Sequence, residues 1–170
     1  MSYIDEIASR ANKMTTDYAT RNPFVIAKDL GIHVFFTKEL TKLKGMYFIM
    51  KRNRYIYIND NLDARTKRIV CAHELGHDQL HRDLAKLGAL QEFVLYDMST
   101  RPEYEANVFA ASLLLDENEM LSYIYDYHYD SEQIARAMGS DINLVALKVA
   151  QLTMKGYKLN QLESRADFLK

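Results

Sequence analysis

Near the N-terminus, Ile4, Ile7, Ala8, Ala11 and Met14 recur at three- and four-residue spacing among polar neighbours. That period gathers them on one side of a helix, so the pattern predicts an amphipathic helix over residues 2–21. Asn22-Pro23 then opens a second, short helix from Phe24 to Leu30, because a first-turn proline has no helical N–H partner to lose, and Gly31 stops it. From Ile32 to Thr37 the residues turn β-branched and aromatic, which predicts a strand. Gly45 to Met50 and Tyr55 to Ile58 read as a hairpin with Lys51-Arg52-Asn53-Arg54 as its polar turn. These three runs predict a small antiparallel three-stranded sheet.

Asn59-Asp60-Asn61 offers capping side chains for a long helix from about Asp63 to Arg82. Residues 83–101 carry no clear period, apart from a short strand expected at Phe93 to Tyr96. A helix follows Pro102 and runs to Leu115. Glu117 to Lys158 reads as several short helices, broken at Gly139 and Gly156. The expected class is α+β, with the sheet packed on the long helix. Residues 1–115 form a core domain, and residues 116–170 a helical C-terminal region packed on it.

Composition narrows the functional classes. The chain has 170 residues, 48% of them hydrophobic and 26% charged, which suits a globular domain that needs no staples. Its one cysteine, Cys71, excludes an internal disulfide and fits a reducing, cytoplasmic setting. Cys71 sits in an apolar run and reads as a buried thiol rather than a nucleophile. No basic segment precedes an apolar run at the N-terminus, so no leader is expected there. No stretch approaches the length of a membrane span. A formal net charge of −1 gives no general pull toward nucleic acid.

The long helix carries the chemistry. Ala72-His73-Glu74-Leu75-Gly76-His77 contains a His-Glu-x-x-His pattern. Residues four apart lie about 40° apart around a helix, so both imidazoles can reach one metal ion. Glu74 lies on a neighbouring part of that face and can reach a water beside the metal without being a ligand. A third protein ligand is needed to leave one open position. Asp83 would complete a His-x-x-x-His-x-x-x-x-x-Asp set, but that set wants a chain-turning glycine at position 80, which is Leu80. Glu103 on the following helix is preferred, and Asn107 one turn further on can hydrogen-bond a ligand histidine and fix its orientation. Glu105 is the reserve candidate. It points about 200° from Glu103 and otherwise reads as a solvated helix residue.

The run His73-Glu74-Leu75-Gly76-His77-Asp78-Gln79-Leu80-His81, followed by Glu103-x-Glu105-Ala106-Asn107-x-Phe109-Ala110 and Leu113-Leu114-Leu115, resembles the ImmA/IrrE family of metallopeptidases. The specific motifs lie within residues 69–115. The family often has proline after its Leu-Leu-x run, where this chain has Asp116. The resemblance implies a zincin-like fold, Zn2+ held by His73, His77 and Glu103, and Glu74 as the catalytic acid/base. It also implies a protein substrate, a helix-turn-helix repressor cut to relieve repression in a phage or mobile element.

Other features read more plainly. His81 continues the four-residue series but reads as a capping or packing residue at the helix end. Tyr123-Ile124-Tyr125-Asp126-Tyr127-His128-Tyr129 reads as a packing seam between helices. Residues 130–152 have helix-turn-helix spacing with Ser131 as a cap, yet the second helix offers only Lys148 as a base, which disfavours direct nucleic acid binding. Two other classes stand against the protease: a non-proteolytic regulatory binding protein with a structural or vestigial metal site, and a hydrolase of small molecules.

Overall fold

The computed structural model describes residues 2–92 and 98–159 of the chain. Helix α1, Tyr3–Asp17, opens with a capping box in which Ser2 and Asp5 exchange side chain to backbone bonds. Of its expected stripe, Ile7, Ala8, Ala11 and Met14 are buried and Ile4 is half-buried. The helix stops short of Arg21 because Ala19 takes a φ of 50°. Helix α2, Pro23–Asp29, starts at Asn22, whose side chain accepts from the Phe24 N–H. Gly31, with a φ of 70°, turns the chain into strand β1, His33–Thr37.

Strands β2, Gly45–Met50, and β3, Asn53–Asn59, make the hairpin. Its turn is two residues rather than four. Lys51 and Arg52 both take positive φ, at 50° and 68°, and Met50 pairs with Asn53. Two left-handed residues in succession match the natural twist of the strands they join.

The α+β class stands, but the sheet has four strands rather than three, in the order β1-β3-β2-β4, with β4 at Leu90–Glu92. Nor is it wholly antiparallel, since β1 pairs with β3 in parallel, in the register Val34 to Ile56. Strands β1 and β2 do run in opposite directions, but β3 lies between them. The connection over residues 38–44 is held across the end of β3 by Asn59, whose side chain donates to the Leu40 and Leu43 carbonyls. One face of the sheet buries Tyr47, Ile56 and Ile58 completely. The other face packs aromatic rings together, Phe48 stacked on Tyr55 at 5.1 Å and Phe35 tilted against Tyr57 at 5.3 Å.

Helix α3, Ala64–Leu80, packs on the sheet. Asp63 is its cap, accepting from the Thr66 N–H, while Asn59 ends β3 and Asp60 and Asn61 belong to the turn between them. Residues 69–78 are buried, including Cys71, whose thiol is pushed up by burial away from water. Beyond His81 a short helix α4, Arg82–Leu87, occupies a stretch expected to be irregular. The strand expected at Phe93 to Tyr96 lies outside the described residues. Helix α5, Arg101–Leu114, lies against both α1 and α3 and is buried from Glu105 onward.

The chain divides into two compact units, Met1–Leu114 and Leu115–Lys170. The second contains α6, Glu117–Tyr125, α7, Ser131–Ala137, and α8, Ile142–Met154. Asp130, not Ser131, caps α7, in a box with Gln133. Lys148, the one base on α8, is fully buried with its Nζ 3.7 Å from Glu117 Oε2. The tyrosine run is a surface cluster rather than a seam: Tyr123 and Tyr129 stack at 5.3 Å, and Tyr127 is largely exposed. Among the described residues, no helix is long and apolar enough to cross a membrane.

Candidate metal centre

Helices α3 and α5 supply the site, and a glycine sets their separation. A β-carbon on Gly76 would stand 3.0 Å from the Cα of Ala106. A side chain here would push the helices apart by a few tenths of an ångström, and glycine allows the close approach that brings the start of α5 over the His-Glu-x-x-His turn. His73 and His77 are each 1% exposed. Their Nε2 atoms face each other at 3.0 Å. Glu103 reaches over from α5, with Oε2 at 3.1 Å from His73 Nε2 and Oε1 at 3.5 Å from His77 Nε2. All three ligand atoms lie within 4.8 Å of one another.

This donor set fits a divalent ion. Ligand atoms about 2.0 Å from a tetrahedral ion stand roughly 3.3 Å apart, close to the separations here. Three electron-rich atoms converging in a buried spot repel one another unless positive charge sits among them. The protonation directions agree. Burial disfavours the charged form of His77 and lowers its pKa to about 4, so its ring is neutral at ordinary pH. Burial acts to raise the Glu103 carboxyl, but the two imidazoles beside it prevail and hold it well below the usual range. Neutral rings and an ionised carboxylate are the states that metal binding requires.

The surrounding side chains orient the donors. Asn107 Oδ1 is 2.9 Å from His73 Nδ1. The amide oxygen accepts, so the ring proton sits on Nδ1 and the lone pair of Nε2 faces Glu103. Glu74 follows His73 on the same turn and is completely buried. It packs against Gly45 of β2, where a β-carbon would come within 2.6 Å of Glu74 Oε1. Asp83, the competing third ligand, is turned to solvent and paired with Lys86 at 2.7 Å. It is not brought to the histidines.

One residue differs from its expected role, and another makes a contact beyond its expected one. Glu105 is not solvated: it is 4% exposed, accepts from Arg101 Nε at 2.5 Å, and meets His81 Nε2 at 3.0 Å. The turn opposite Glu103 on α5 faces protein, since α5 is flanked by α1 and α3. His81 does end α3, but its ring lies 3.0 Å from His77 Nδ1. The four-residue spacing from His77 was the available signal for that contact.

Comparison with known proteins agrees with this geometry. A family model described as the IrrE N-terminal-like domain of the M78 peptidases matches residues 27–149. The uncharacterized immunity region protein 2 of Bacillus phage phi105 is 34% identical over 142 residues, which is 84% of this chain and 88% of that protein. Metallopeptidase ImmA of Bacillus subtilis strain 168 is 35% identical over 101 residues, covering 57% of this chain and 56% of the relative. The match takes in both metal-centre helices and most of the second unit, and the chain belongs to the ImmA/IrrE family of M78 metallopeptidases.

Proposed function

We propose that this chain is a zinc-dependent endopeptidase in which His73, His77 and Glu103 hold the ion, Glu74 is the catalytic acid/base, and Asn107 orients His73. The observation that carries this reading is the convergence of two imidazoles and a carboxylate within 4.8 Å, one residue along the helix from a buried glutamate. Two nitrogen donors and one oxygen donor with a fourth position open is a catalytic zinc set. Bound there, the ion supplies an acidified water and polarises the scissile carbonyl. Glu74 takes the proton of the attacking water and later delivers it to the leaving amine.

The peptide reading draws support from the sheet. Gly45 packs against Glu74 and pairs with Glu92 of β4, so the β4 edge runs one strand away from the catalytic carboxylate. An extended substrate could add to the sheet at that edge, the one nearer Glu74 in the strand order. We assign catalysis to residues 1–115 and treat residues 116–170 as a helical region with a role in docking. The phage immunity relative supports a regulatory protein as substrate, and we assign that role to a helix-turn-helix repressor in the cytoplasm, cut to relieve repression.

The test pairs the purified chain with the regulator encoded beside its gene, with and without chelator, and reads fragments by mass spectrometry. Cleavage is expected only without chelator. Glu74→Gln is expected to keep zinc and lose cleavage, and Glu103→Ala to lose most of its zinc. Full zinc content in Glu103→Ala would remove the ligand assignment.

A further inference from the structure

The sheet buries one face on α3 and fills the other with rings. A solvated sheet face normally carries polar side chains. Here the register sets five rings at paired positions. His33 stands opposite Tyr55 and Phe35 opposite Tyr57 across β1 and β3, and Phe48 opposite Tyr55 across β2 and β3. The centroids of these pairs are 5.2, 5.3 and 5.1 Å apart. Phe48 also meets Tyr57 at 5.7 Å. Phe35 is 45% exposed, His33 is exposed, and the other three rings are half-buried.

Basic side chains gather at both ends of this platform. Lys51 and Arg52 form the hairpin tip, beyond the paired Met50 and Asn53. Lys38, Lys42 and Lys44 lie on the crossing at the opposite end, between Thr37 of β1 and Gly45 of β2. Four of the five are exposed, and Lys44 is half-buried. From His33 to Asn59 the one acidic residue is Glu39. Arg54, in the same stretch, is turned to the buried face, 3.0 Å from Asp78. Asp60, just past β3, is matched by Lys67 at 2.6 Å. The formal charge of −1 for the whole chain conceals this local positive excess.

We propose that this face binds single-stranded DNA, with bases stacked on the rings and phosphates held by the cations at either end. Rings supply stacking that tolerates any base, and the bases supply the contact with backbone phosphates. Strand β3 has seven residues, which span about 20 Å. That length suits the roughly two or three bases that rings on a four-stranded sheet stack. A duplex keeps its bases stacked on one another and offers the rings no free face. A second copy would bring like charges together, and an acidic peptide has no planar groups to stack. Met46 and Met50 flank the rings on β2. Such an apolar surface suits a thymine methyl, whereas a ribose hydroxyl would lose water against it. This inference goes beyond the peptidase reading and does not depend on it.

The test measures fluorescence anisotropy of a labelled oligothymidylate with the full chain over a range of salt. Binding is expected, with log affinity falling against log salt at a slope of about −2 to −3, from about three or four phosphates at roughly 0.7 each. Phe35→Ala is expected to weaken binding at least about fivefold through lost stacking. The double change Lys51→Gln with Arg52→Gln is expected to reduce the steepness of that slope by about 1.4. Both tip residues are exposed, so this variant decides if Phe35→Ala melts early. Oligouridylate, the duplex with oligoadenylate and polyglutamate serve as competitors, and each is expected to displace the probe poorly. No binding at low salt would overturn the proposal, as would wild-type affinity in both variants. Preference for the duplex, for oligouridylate or for polyglutamate would overturn it in favour of that class.

Discussion

A β-carbon built on Gly45 of β2 would stand 2.6 Å from Oε1 of Glu74 on α3 and 2.4 Å from Cγ1 of Val70. Both distances are below any real contact, and both neighbours are completely buried. Neither can move without displacing packed atoms. Gly45→Ala is therefore expected to cost about 1–3 kcal/mol and to shift the Glu74 carboxylate away from its working position. Thermal melts should show the loss of stability. Cleavage should fall at least roughly tenfold, a barrier change near 1.4 kcal/mol, while zinc content stays at the wild-type level. Unchanged melting and cleavage would show that this contact does not position Glu74.

Gly76 makes the opposite of a helix-propensity argument. In an exposed helix interior, Gly→Ala gains about 1 kcal/mol. On α3 the new methyl would meet Ala106 at its Cα, 3.0 Å, and at its carbonyl oxygen, 3.1 Å. These are backbone atoms, so α5 itself must retreat, and Glu103 and Asn107 travel with it. Gly76→Ala is expected to lose about 1–3 kcal/mol despite the better propensity, and to bind zinc more weakly. A gain in melting temperature with unchanged metal affinity would mean that the helices have slack.

What was legible in the sequence was whatever a local period or a fixed spacing encodes. The stripe on α1 and the strand propensity of β3 gave those elements directly, and the His73–His77 spacing placed two imidazoles on one helical face. Parallel pairing of β1 with β3 had no local signature, because the crossing over residues 38–44 depends on Asn59 bonding to carbonyls sixteen and nineteen residues away. Glu105 was misread for a related reason. Helical angle places it opposite Glu103, but angle does not say whether that side meets water or another helix, and here it meets protein. The two-residue turn at Lys51-Arg52 lacks the glycine or asparagine that normally marks positive φ. Helix α4 is only six residues long, too short for periodicity to reveal.

Asp78, next to His77, anchors the underside of the metal helix. It is completely buried and accepts from the Tyr47 hydroxyl at 2.8 Å, Arg54 Nη1 at 3.0 Å and Arg82 Nη2 at 3.0 Å. Burial and the neighbouring carboxylate push the Tyr47 phenol far above its ordinary value, so it stays a donor. Removing the buried charge leaves Arg54 facing a neutral group in a half-dry site. Asp78→Asn is expected to cost about 3–5 kcal/mol. Arg82→Met removes the partner whose side chain is 47% exposed and should cost under about 1 kcal/mol. Urea titrations compare the two. Equal losses would show that the network is not centred on the carboxylate.

Glu117 gives the second unit an acid-sensitive contact. It accepts from Lys155 Nζ at 2.6 Å and lies 3.7 Å from the fully buried Lys148 Nζ. Burial acts to raise its carboxyl, but the Lys155 hydrogen bond and the charges of Lys148 and Lys155 outweigh it and lower it. The folded state thus binds fewer protons than the unfolded state, whose carboxyl titrates near about 4.3. Linkage then fixes the sign: the contribution is fully present above about pH 4.3 and is lost as pH falls through the lower folded value. Glu117→Gln is expected to lose about 1–3 kcal/mol at neutral pH, because a buried ammonium loses its counter-charge. Below the folded titration the wild-type carboxyl is itself neutral, so the two proteins should converge in stability there. Melting curves from pH 7 down to pH 3 test this, and a constant gap across the range would show that the Glu117 charge contributes nothing.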